Sequence, residues 1–431
     1  MIKGGICVNF ELFPGVRVNF IKNTQFKSVQ LMVSFIKELN DKKELAQRTL
    51  LASMLESTSQ KYRNQHEITI ELAKLYGATF GTNTEVEGNV SLLNFVYSFI
   101  NPRFLPGKSN LLHDSILFLN EMIFHQNIQN NMFSQRIFNR QKENLMTYIK
   151  GINDNKQSEA ILKIQELYFK DEIQKYVPYG SQKEFEAINN QDLTASYFEM
   201  LTQDYVQITV MGDLELDDLK AELKNFEFKA HSQMPSIANQ ISYHQAVYPN
   251  VKKQTMIQNV RQSKLDLIYQ LPIDSQSGQL FFDAVVFNAM LGGSPQSKLF
   301  RNVREKESLA YYADSSYSAF RTIILIQTGI QAENKDKVVD LIQQQVSDLK
   351  NGNFTDDELT KIKMELINGR KRMLDNPSSI IEQQVLSSLV EQDLSYEYQC
   401  EAIQKVTREA VQNVASKMKL QAEFFLKGED M

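Results

Sequence analysis

The sequence is poor in the side chains that hold metals or attack substrates. Its five histidines, His66, His113, His125, His231 and His244, show no i, i+3 or i, i+4 pairing that would set two imidazoles on one helical face. They read as surface or helix-end residues. Cys7 and Cys400 lie almost a whole chain apart in no metal or redox spacing, which fits a reducing compartment. Gly292-Gly293-Ser294 lacks the Gly-Lys-Ser/Thr ending of a phosphate loop and follows a helical pattern, so it reads as a turn. Arg304 and Tyr311 have more to offer: both carry hydrogen-bond donors, and donors aimed at a developing oxyanion are worth most where water is scarce. Their spacing equally allows Arg304 to pair with Glu305 or Glu307 and Tyr311 to be a half-buried strand aromatic. Tyr312 should then point to the opposite face.

The elements that must position these residues occur twice. A strand is expected over Ser28 to Phe35, then helices from about Lys43 to Ser57 and Glu67 to Tyr76, an antiparallel strand pair (Ala78 to Val86, Asn89 to Ile100), a helix over Leu112 to Ile123 and a long helix over Ser134 to Lys150. The order returns in Ser263 to Leu271, Gly278 to Leu291, Ala310 to Tyr317 with Thr322 to Ile330, Lys335 to Leu349, and Thr355 to Met373. Thr355 followed by Glu358 has capping-box spacing. The fold class is α+β, two homologous domains each built from a mostly antiparallel sheet packed with helices. Tyr205 to Met211 closes the first copy, and the polar, aperiodic text of 226–251 marks a linker between domains 1–225 and 252–431.

Composition narrows the partners. The 431 residues include 47 Lys+Arg and 52 Asp+Glu, a net charge of −5, so the basic stripe needed for nucleic acid or an anionic membrane surface is missing. The amino terminus mixes Lys3, Glu11, Pro14 and Arg17 into its apolar residues and resembles no secretory signal; the most apolar run, Val90 to Ile100, is too short to span a bilayer. A cytoplasmic location is expected.

The duplicated module, the linker and above all Leu299 to Ser316 (LFRNVREKESLAYYADSS), preceded by Gly292-Gly293-Ser294 and Ser297, resemble the pitrilysin/insulinase family of zinc peptidases, the inverzincins. The resemblance covers nearly the whole chain and implies half of a clamshell. Active members carry His-x-x-Glu-His on a helix, with a later Glu as third ligand and the motif Glu as the base that activates zinc-bound water. The corresponding residues are Ser53, Glu56 and Ser57, and Tyr148 stands where the third ligand would fall. Serine hydroxyls are poor substitutes for imidazole, so no metal is expected in this chain and Glu56 loses its partner.

In the family, the Arg and Tyr matched by Arg304 and Tyr311 contact the substrate carbonyl. Loss of the zinc half with retention of the Arg/Tyr half resembles the non-catalytic subunit of a two-chain member, closest to the bacterial cytoplasmic pairs associated with 5-aminopentanol modification of elongation factor P. The expected partners are a homologous zinc-bearing peptidase subunit, with zinc as that chain's cofactor, and a peptide or unfolded polypeptide added to the edge strand at Ala78, Thr79, Phe80, Gly81 and Thr82. The alternative is a peptide-binding or scaffold protein with no role in hydrolysis.

Overall fold

The computed structural model describes residues 7–107, 109–231, 236–238 and 240–428; part of the expected linker, 232–235 and 239, lies outside them. Two compact units form, the first from 1–150, 177–237 and 374–392, the second from 151–176, 238–373 and 393–431.

The first unit opens with a hairpin, β1 (Cys7–Phe13) and β2 (Val16–Lys22), turned by Pro14-Gly15. Proline presets the first turn position and Gly15 takes the positive φ of 78° that the second requires. With β3 (Ser28–Glu38), β4 (Thr79–Glu87), β5 (Val90–Ile100) and β8 (Tyr205–Gly212), the hairpin builds a six-stranded sheet ordered β1-β2-β8-β3-β5-β4. A two-residue pair, β6 (Ile128–Gln129) and β7 (Met132–Phe133), stands apart. Val29, Leu31, Val33 and Phe35 alternate onto one face of β3, and Phe35 meets the Phe95 and Phe228 rings there. The helix Lys42–Leu55, capped by Asp41, is anchored by an ion pair taken out of water: Arg48 Nη1 lies 2.6 Å from Asp204 Oδ2, with Nη2 on the Phe35 carbonyl and Nε on Ser91.

In the second unit β9 (Lys252–Gln258), β10 (Ser263–Gln270), β11 (Ala310–Ser318), β12 (Ile323–Ile330) and β13 (Lys419–Gly428) form a sheet ordered β11-β12-β10-β13-β9. Each step has the pairing sense of its counterpart in β4-β5-β3-β8-β2: three antiparallel, then one parallel. The fold is therefore α+β with mostly antiparallel sheets, and the expected strand pairs are antiparallel. Thr355 and Glu358 bond each other's main-chain amides, the reciprocal pattern of a capping box.

The compact units differ from the contiguous domains 1–225 and 252–431. The helix Lys156–Tyr168, from the first half of the sequence, buries Ala160, Ile164 and Tyr168 against Ile268, Ala422, Phe424 and Leu426 of the second unit's sheet. The helix Pro377–Val390, from the second half, packs on β8 and β3 of the first. Within 226–251 the chain is bound down: Phe226 and Phe228 are buried in the first unit, while Tyr243 N donates to Phe320 O and Gln245 bonds the Tyr168 carbonyl in the second. The passage between units falls at Ile237/Ala238.

Candidate functional site

Glu56 terminates the helix Lys42–Leu55 as its C-cap residue. Its Oε2 accepts from the main-chain N–H of Thr82 at 3.2 Å, and the Thr82 hydroxyl donates to the Ala52 carbonyl at 2.6 Å. Thr82 lies in β4, which pairs with β5 on one side and ends the sheet on the other. The amide that Glu56 holds thus belongs to the free edge. Thr79, Phe80, Gly81 and Thr82 all lie in this edge strand, whereas Ala78 precedes it and donates its N–H to Leu72 O. Phe80 is anchored edge-on to Phe118 at 5.3 Å.

The neighbouring hydroxyls are turned to structural use. Ser53 Oγ donates to Thr49 O, and Ser57 Oγ to Ser53 O at 2.7 Å, each bonding back one helical turn. Ser57 Oγ also accepts from Gln141 Nε2 at 2.6 Å. Gln141 was not a candidate from the sequence, although it sits two turns before Tyr148 on the helix Gln135–Asp154, at the i, i+7 spacing that shares a face. Tyr148 is half exposed and packs edge-on against Tyr179, with 3.3 Å between the hydroxyls. Two serines and a tyrosine offer zinc neither imidazole nor carboxylate, and Ser57 Oγ is already donor and acceptor within the chain, so this set does not fit the metal. Among the described residues no three His, Cys, Asp or Glu side chains gather closely enough to hold one.

A cavity of about 380 Å³ lies beside β4, lined by Gln30, Met32, Gly81, Asn83 and, from the helix Pro377–Val390, Ile381 and Glu382. Further along the same face of β4 stand Glu85 and Glu87. Burial, then the neighbouring Glu382 charge, push Glu85 above the usual carboxylate range, and burial with Glu85 raises Glu87 to about 7.

In the second unit, Leu299–Lys306 is π-helical and places the Arg304 guanidinium 4.5 Å from the Phe300 ring centre. Among the described residues no carboxylate pairs with Arg304; Glu307 engages Lys337 instead. A bulge between Ala310 and Tyr312 leaves Tyr311 as the extra residue of β11, and its side chain is 77% exposed. It is not the half-buried strand aromatic that its spacing also allowed. Tyr312 takes the sheet face that also carries Asp314, Gln327 and Asp266. Asp266 is wholly buried with both carboxylate oxygens unpartnered, and burial followed by Asp314 holds its pKa far above the ordinary value. Gly292 and Gly293 end the helix Gln279–Leu291 where β11 approaches: a Cβ on Gly292 would meet Ser315 N at 2.6 Å.

Residues 187–366 match the family model described as the peptidase M16 inactive domain. A Bacillus subtilis protein named as a probable inactive metalloprotease is 25% identical over 415 residues, 96% of each chain. A conserved protein from Enterococcus faecalis has a crystal structure that superposes with a TM-score of 0.92 at 36% identity, covering 98% of this chain and 99% of that one. An M16 inactive-domain structure from Pseudomonas fluorescens gives 0.79 at 17% identity, with 98% of both chains covered. The duplicated α+β units and these matches make the chain an inactive-type homologue of the M16 metallopeptidases. The chain belongs to the M16 peptidase family, the pitrilysin-like group.

Proposed function

We propose that this chain is the non-catalytic subunit of a heterodimeric zinc peptidase. It helps to enclose a polypeptide, holds it as an added strand on β4, and lends Arg304 and Tyr311 to the active site of a homologous, zinc-bearing partner. The observation that carries this reading is the contrast between the two units. Ser53, Ser57 and Tyr148, at the positions the resemblance gives to zinc ligands, are engaged in internal structure, whereas the Tyr311 side chain is turned out to solvent and Arg304 has no carboxylate partner among the described residues. A guanidinium and a phenol so presented are suited to an oxyanion supplied from outside.

Reconstitution with the homologous zinc-bearing chain tests it. Arg304→Ala should lower peptide turnover about 10² to 10³-fold, the size of one lost oxyanion donor, and Tyr311→Phe should lower it as well, with the complex intact by size-exclusion chromatography. Unchanged turnover in both variants would favour the scaffold alternative. The resemblance to subunits associated with elongation factor P gives a second readout in cells, the modification state of that factor when this chain is deleted.

A further inference from the structure

The β3-β5-β4 part of the sheet face that borders the 380 Å³ cavity is acidic, and a cation on the same face, Arg17 of β2, stands four strands from β4. On it β3 presents Gln30, Met32, Ser34 and Ile36, β5 presents Leu92, Asn94, Val96 and Ser98, and β4 presents Thr79, Gly81, Asn83, Glu85 and Glu87, as the cross-strand register requires. None of these is cationic, nor is any residue of the helix Pro377–Val390 that brings Glu382 to the cavity. Buried acceptors stand beside the carboxylates. Asn94 is 1% exposed, gives Nδ2 to Asn83 Oδ1 at 2.9 Å and lies 3.4 Å from Glu85 Oε1, while its own Oδ1 has no partner. Ser34, directly opposite Asn94 on β3, is wholly buried and its Oγ is unpartnered too.

We propose that this cavity is a subsite for the side chain of a lysine or arginine carried by an extended polypeptide on β4. The proposal rests on the reading that β4 accepts an added strand, and it names the class of polypeptide: basic at the position that meets Glu382. A neutral side chain would leave Glu382 and Glu85 facing each other without compensation, which already raises the pKa of Glu85. An ammonium or guanidinium brings charge and several donors to these carboxylates and to the free Asn94 oxygen. The volume is within the range of about 300–1,000 Å³ found for ligand pockets.

The test uses the full-length chain and two fluorescein-labelled peptides of about ten alternating Thr and Val residues, one with a central lysine and the other with norleucine there. The lysine peptide should bind about tenfold more tightly, in line with a partly desolvated charge pair. Glu382→Gln should bring it to the level of the norleucine peptide, whose own affinity stays unchanged. Hydrogen exchange over residues 79–87 reports strand addition separately, and should slow with either peptide. Equal affinities, or a lysine preference that survives Glu382→Gln, would overturn the subsite, and slowed exchange in that case would leave strand addition standing. A lysine preference without slowed exchange would refute strand addition and with it the proposal.

Discussion

Glu56 and Thr82, a helix cap and an edge-strand residue, are joined by a bond of 3.2 Å from the Thr82 main-chain nitrogen to Glu56 Oε2. Glu56 here satisfies the outward amide of a free sheet edge, a group that would otherwise be open to an incoming strand. An incoming strand that used this amide would have to displace the carboxylate.

Removing the carboxylate should therefore favour binding. Glu56→Ala is expected to speed hydrogen exchange at the Thr82 amide and to tighten the binding of an extended peptide about three- to tenfold, the scale of one released charge-assisted bond. Weaker binding in this variant, measured by fluorescence anisotropy, would mean that Glu56 supports the bound strand.

Restoring two histidines should not restore a metal site. Ser53→His with Ser57→His still lacks a third ligand while Tyr148 packs on Tyr179. Metal analysis after dialysis should find no stoichiometric zinc in the double variant and a clear gain when Tyr148→Glu is added. Tight zinc in the double variant would show that another side chain completes the site.

The Arg48–Asp204 pair should be costly to break. Arg48→Met takes the ion-pair partner from Asp204, whose side chain is 2% exposed, and leaves the more distant Lys37 as its compensating charge, so the first unit should lose about 3–5 kcal/mol. Urea unfolding followed by a probe in that unit measures it, and a loss below about 1 kcal/mol would contradict this account.

Glu87 makes stability depend on pH. Its folded pKa of about 7 exceeds the unfolded value of about 4.3, so the folded chain holds the proton more tightly. The resulting stabilisation is complete below about pH 4 and is lost as pH rises through about 7. Glu87→Gln, neutral throughout, should match the parent near pH 4 and melt at a higher temperature near pH 8. A melting difference that does not change with pH would rule out the burial of this carboxylate.

What the sequence disclosed was mostly local. Thr355 and Glu358 are three residues apart, and the β4-β5 and β11-β12 pairs are joined by short turns, so pattern alone placed them. Ser53, Glu56 and Ser57 were legible through the resemblance. The structural uses of these residues were not, because Thr82 and Gln141 reach them from 26 and 84 positions away. The bulge that exposes Tyr311 left no mark in the alternation of LAYYADSS. Lys156–Tyr168 and Pro377–Val390 were not among the expected helices, and local pattern does not say which sheet a helix will cover.

That crossed membership of the two helices sets a timetable for synthesis. The strands of the first sheet are all present once Gly212 has left the ribosome, but Pro377–Val390, which covers β3 and β8, follows more than 160 residues later. Until then an incomplete unit carries an uncovered, partly apolar sheet face through more than a third of the chain's synthesis, a condition in which nascent chains engage chaperones. Cutting the gene at the linker would make that state permanent: a polypeptide ending near residue 237 lacks a piece of its own core, and its complement carries a helix with no sheet to cover. Each half would be expected to recover only when the other is made in the same cell.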